Sequence, residues 1–159
     1  MLNEEEKIKL QDLFKSSNKK DHFKDLYFLY GIAVHYACNI EYGLYLMLLG
    51  PAWNSVNDLD EKKVDEISSK LADMTLGALI DKIKRFYKLD IKQIRYLNKI
   101  RIRRNYLIHH FWGEYGVAVN RGHNVERLII KLRKITIFFH QAAEWIEFSK
   151  ASLIKSKRV

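Results

Sequence analysis

The sequence predicts an all-α protein, a mostly antiparallel helical bundle of about five main helices. Three observations predict it. Only one proline and seven glycines occur in 159 residues, so helices meet few breakers. Apolar residues recur three and four apart through most of the chain, which is the period of a helix face. Hydrophobic residues make up 48% and charged residues 30%, the balance of a globular domain rather than a disordered chain. No repeat, low-complexity tract or linker divides residues 1–159, so one domain is expected over that length.

Asn3-Glu4-Glu5-Glu6 opens the first helix, with Asn3 as cap and acids at the positive end of the dipole. This helix should reach about Ser16, and Ser17 to Lys20 then turn. The second helix is expected from about Asp21 to Leu49, stopped by Gly50-Pro51. Past Leu26 it is apolar on nearly every side, so it is either central or shared with a partner subunit. Its many aromatics, Tyr27 and Tyr42 among them, fit core packing better than base stacking. Trp53 to Asp58 reads as a loop. Glu61 to Leu71 forms a short charged helix with Val64, Ile67 and Leu71 on one side. Thr75 caps the next helix, Leu76 to Tyr87, whose apolar stripe is Leu76, Leu79, Ile80 and Ile83. Asp90 caps the fourth major helix, from Ile91 to about Trp112. Gly113 to His123 is a loop or an irregular extension of that helix. Asn124 starts the last helix, which reaches about Ile154 on a stripe that includes Leu128, Leu132, Ile135, Phe139, Ala142 and Ile146. Lys155 to Arg158 is a basic end.

Cys38 is the single cysteine and makes no internal disulfide, which fits a reducing, cytoplasmic setting. The acidic N-terminus has no apolar core, so neither a secretory signal nor a transit peptide is expected. Leu26 to Leu49 is the best membrane candidate, but it carries His35, Asn39 and Glu41. A charge at mid-bilayer is costly, so a buried helix and no membrane contact are expected. The net charge is +9 and the pI about 9.5, a balance that attracts polyanions such as RNA. The same charge also serves solubility alone.

The fourth major helix carries the chemistry. Successive residues lie about 100° apart on its wheel. Lys92, Arg95, Lys99, Arg103 and His110 gather on the wet face. Arg104 instead falls among Leu97, Ile100, Ile108 and Phe111, and Arg101 lies toward the same side. A guanidinium taken from water needs a partner. Glu41, the only acid in the apolar heart of the second helix, is the proposed partner of Arg104 or Arg101. Such a pair either fixes helix register or holds a catalytic cation. Asn105 and His109 are four apart, so a regular helix stacks them on one edge, with Asn98 near it. Cation, polar anchor and acid/base group thus come together.

Arg104-Asn105-Tyr106-Leu107-Ile108-His109 resembles the R-N-x-x-x-H form of the HEPN motif. The longer string to Trp112 resembles R-N-Y-L-x-H-H/R-F-F/W segments of bacterial HEPN-like proteins. The resemblance spans most of the chain as architecture and about nine residues as motif. It implies a four- or five-helix bundle and a homodimer whose paired motifs form a composite ribonuclease site. It carries Arg104 to phosphate binding, His109 to acid/base work and Asn105 to a supporting polar position. His110 has no fixed role in the motif and is secondary. The implied partners are single-stranded RNA, a second copy of the chain, and an antitoxin such as a nucleotidyltransferase.

The chemistry expected is metal-independent phosphodiester transfer with no cofactor. An imidazole titrates near ~6.5, which suits His109 to proton transfer. Neither H-E-x-x-H nor C-x-x-C occurs, and no phosphate-binding glycine loop or G-x-S-x-G is present. Three readings stand: a HEPN-type endoribonuclease, a non-catalytic module binding RNA, nucleotide or a partner, and a purely structural helical dimer.

Overall fold

The computed structural model describes residues 19–54, 61–121 and 124–155. The protein is all-α. Helix α1 spans Lys19–Asn54, α2 Glu61–Ala72 and α3 Leu76–Phe86. Helix α4 spans Ile91–Asn105 and runs through a π-helical turn, Tyr106–His110, into α5, Phe111–Asn120. Helix α6 spans Val125–Lys155. The expected helix over 3–16 lies outside the described residues, as do the basic end beyond Lys155 and most of the expected loop.

Helix α1 is central. Leu26, Leu29, Ala33, Ala37, Ile40, Leu44 and Met47 are buried at helical spacing. They face α6, whose Leu132, Phe139, Ala142 and Ile146 are also buried. Cross-contacts give the directions. Leu29 O accepts from the Thr136 hydroxyl, and Tyr36 packs edge-on against His140, so α1 and α6 are parallel. Tyr27 stacks on Trp112 while Glu41 meets Arg104, so the α4–α5 path runs antiparallel to α1. The same path is antiparallel to α6, with Tyr96 against Trp145 and Tyr106 against Lys131.

The local signals for helix starts hold. The Thr75 hydroxyl accepts from the Ala78 N–H at 3.3 Å. Asp90 and Gln93 form a reciprocal capping box at 2.8 and 2.9 Å. Asn124 adopts φ 58°, a left-handed turn that asparagine tolerates, and feeds α6.

Gly113 and Gly116 do not break the fourth helix, which continues through the π turn as α5 to Asn120, the irregular extension of the two alternatives expected there. One boundary differs from expectation. Helix α1 does not stop at Gly50-Pro51 but adds a turn to Asn54, so Trp53 and Asn54 are helical rather than loop. Pro51 has no N–H to give the carbonyl four residues back, that of Met47. The hydroxyl of Tyr87, fully buried in the core, donates to that carbonyl instead. A side chain from beyond α3 thus supplies the hydrogen bond the proline lacks, and burial pushes the Tyr87 phenol up from its ordinary pKa.

By length and composition, His22–Gly50 is the one helix among the described residues apolar enough to cross a bilayer. Its charged Glu41 is matched by Arg104 of α4.

Candidate functional site

The motif sits where the helix changes pitch. In a uniform α-helix, residues five apart are about 140° apart and do not meet. Here the Phe111 N–H donates to the Tyr106 carbonyl, five residues back. The wider turn absorbs one residue, so five apart behaves like four. Arg104 and His109 therefore meet: Nη1 lies 3.5 Å from Nε2. Arginine has no acceptor, so Arg104 donates and Nε2 presents its lone pair. At 3.5 Å the bond is long and open to exchange with a ligand.

Glu41 holds the other side of the guanidinium. Its Oε1 lies 2.7 Å from Arg104 Nε, with the side chains 28% and 24% exposed respectively. The N–H is poorly aligned with that oxygen, so the contact is a charge pair rather than a directional hydrogen bond. Of the two arginines considered, Arg104 is the partner. Arg101 is half-buried, lays its stem over Gly77 at the start of α3, and has no ionic partner among the described residues.

Asn105 does not join this pair. Asn105 is exposed, caps nothing with its side chain, and has no hydrogen bond to His109 among the described residues. Asn98 is turned toward α3, where its Oδ1 accepts from Lys84 at 2.8 Å. His109 and His110 are both exposed, with ring centroids 6.5 Å apart. Arg103 is not on an open wet face. Its guanidinium lies 4.1 Å above the Phe138 ring of α6.

Sequence reasoning missed a second polar cluster, on the far side of the motif. The Tyr106 hydroxyl donates to Glu114 Oε2 at 2.8 Å. Lys131 Nζ donates to Tyr106 at 2.6 Å and to Tyr115 at 2.7 Å. The same ammonium lies 4.7 and 4.6 Å from the two ring centroids. Burial, then the hydrogen bonds with Glu114 and Tyr115, push the Tyr106 phenol well above its ordinary range. Hydroxyl bonds from Tyr115 and Tyr106 hold the Glu114 carboxyl below the usual carboxylate range. The signal was Tyr106 and Glu114 eight apart, two turns of helix on one side. Lys131 comes from another helix and gives no local sign.

Among the described residues, no group of three or more His, Cys, Asp or Glu side chains is placed to hold a metal ion. Comparison with protein families, curated proteins and solved structures found no match to this chain. The chemical reading therefore rests on the residues themselves. They bring a half-buried, anchored cation to an exposed imidazole whose Nε2 lone pair is held only by a long contact with that cation.

Proposed function

We propose that this chain is a metal-independent endoribonuclease of HEPN type, acting in the cytoplasm as a homodimer on single-stranded RNA. The observation that carries the reading is the Arg104–His109 contact, exposed at the histidine and anchored by Glu41 at the arginine. Those are the groups that 2′-hydroxyl attack on the adjacent phosphate needs.

The steps follow from the geometry. A substrate phosphate replaces Nε2 as the acceptor of the Arg104 Nη1 donor, in a charge-assisted bond. His109 Nε2 then takes the 2′-OH proton as the 2′-oxygen bonds to phosphorus. Arg104 stabilises the charge on the phosphoryl oxygens. The bond from phosphorus to the 5′-oxygen breaks, and a proton must reach that oxygen. One imidazole cannot start as both base and acid. A second copy of the motif supplies the acid, which is the chemical reason for a symmetric pair. The products are a 2′,3′-cyclic phosphate and a 5′-hydroxyl. DNA lacks the nucleophile and should resist.

A face of α1 suits that pairing. Phe28, Gly31, His35, Cys38 and Tyr42 are all exposed and recur at helical spacing. Phe28 follows Tyr27, which stacks on Trp112, and Tyr42 follows Glu41, which holds Arg104. The stripe therefore borders the motif at both ends. A nucleotidyltransferase antitoxin is the proposed restraint on activity.

The test is cleavage of single-stranded RNA in EDTA by wild type, Arg104→Ala and His109→Ala, with DNA of the same sequence beside it. Loss of RNA cleavage in both variants, with a cyclic-phosphate product, supports the reading. Equal background from all three proteins overturns it and leaves a binding module or a purely structural helical dimer.

A further inference from the structure

A cavity of about 510 Å³ lies between α5 and the first turns of α6. Arg127, Lys131 and Lys134 line one wall. They stand four and seven residues along α6, so they share a face. Arg127 and Lys134 are exposed and have no ionic partner among the described residues. Lys131 is 4.0 Å from Glu114, one acid against three cations. Tyr115, Ala118, Asn124, Leu128 and Ile130 complete the lining. Ile130 is 53% exposed, an apolar surface left open beside the charges.

Those properties narrow the occupant. Small-ligand sites have volumes of about 300–1,000 Å³ and combine an apolar wall with a few placed polar groups. Two cations with no ionic partner among the described residues suit a phosphate, which arginine binds in a bidentate fork. The open isoleucine suits a flat, weakly polar group carried by the same molecule. We infer that the cavity binds one nucleotide unit, its phosphate on Arg127 and Lys134 and its base along Ile130 and Ala118. The unit can be a free nucleotide or one residue of an RNA strand, and its chemistry is the same in either case. The inference does not depend on cleavage, because neither Arg104 nor His109 lines the cavity.

Calorimetric titrations at low salt test it, with AMP, inorganic phosphate and a short oligo(A) strand as separate ligands. The proteins are wild type, Arg104→Ala, and the double variant Arg127→Gln/Lys134→Gln in each background. Both glutamine sites are exposed, and circular dichroism checks that the double variant folds. The double variant should weaken binding at least ~10-fold, the loss expected for a charge-assisted contact. Arg104 is the phosphate-binding group of the proposed motif site, so the same ~10-fold loss should appear when the two glutamine substitutions are read against an Arg104→Ala background. AMP binding assigns a free nucleotide, whereas binding of the strand alone assigns an RNA residue. The inference is overturned if wild type binds neither, or if the double variant binds as well as wild type. It is also overturned if inorganic phosphate binds as tightly as either ligand, since the base would then add nothing. Cleavage in EDTA is a separate readout that reports on Arg104 and His109.

Discussion

Glu41→Gln keeps the size of the side chain and removes the charge facing Arg104. The pair is about three-quarters buried. Its worth therefore falls between an exposed bridge, near zero to 1 kcal/mol, and a buried one broken on one side, at about 3–5 kcal/mol. Urea unfolding should show a loss of about 1 kcal/mol, and cleavage should fall further than stability because the phosphate-binding cation loses its anchor. A variant as stable and active as wild type would mean the pair does nothing. Tyr87→Phe tests the hydroxyl that serves the Met47 carbonyl. It leaves a buried acceptor unsatisfied beside Pro51 and should cost about 1–3 kcal/mol in the same assay. No change would show that water or a shifted backbone satisfies that carbonyl. Glu114 gives a pH signature. Its carboxyl is held below its ordinary range in the folded state, by the Tyr115 and Tyr106 hydroxyls first. Its contribution is therefore present above the unfolded pKa and fades as pH falls through the folded one. The stability difference between wild type and Glu114→Gln should be steady at neutral pH and shrink on acidification. A difference that grows toward acid would reverse the assignment.

At the scale of elements, the π turn decides the site. It is equivalent to one extra residue in a continuous helix. Deleting Ile108 should convert Tyr106–His110 to regular helix, bring Arg104 and His109 to four apart, and leave Phe111 in the core. Deleting the exposed Lys99 should instead rotate everything beyond it by about 100°, turning Arg104 from Glu41 and Phe111 from the core. Circular dichroism with thermal melts should therefore show the Ile108 deletion folded and the Lys99 deletion collapsed. Equal melting of both would remove the pitch argument. The contrast also explains what the sequence revealed. Caps at Thr75 and Asp90 were legible because their hydrogen bonds close within three residues. That Glu41 pairs with an arginine of this helix was legible because a cation on an apolar face requires a counter-charge, but the choice of Arg104 over Arg101 came only with the packing. The extent of α1 was not legible, because the donor that compensates Pro51 comes from Tyr87. The wheel could not give the Arg104–His109 contact, because no residue type announces a one-residue change of pitch. Lys131 was hidden for a related reason, since its partners depend on how α6 docks against α5.

For the whole molecule, the question is whether one bundle suffices. Its core does not need a second copy: Leu26, Leu132 and Phe139 are all buried within the chain. The exposed apolar surface includes the stripe on α1, where Phe28 is 53% and Tyr42 61% exposed. Fold and pairing should therefore separate on mutation. Phe139→Ala should remove about 3–5 kcal/mol and damage everything together. Tyr42→Glu places a charge on an already exposed position, so the helical spectrum and melting of the bundle should survive it. The same charge facing its own copy across a two-fold axis would be repelled and desolvated. Sedimentation should then show a monomer where wild type is a dimer, and RNA cleavage should disappear although Arg104, His109 and Glu41 are untouched. A monomeric variant that still cuts would mean one imidazole performs both proton transfers. The demand for a second motif would then be withdrawn, while the anchored guanidinium would keep its role.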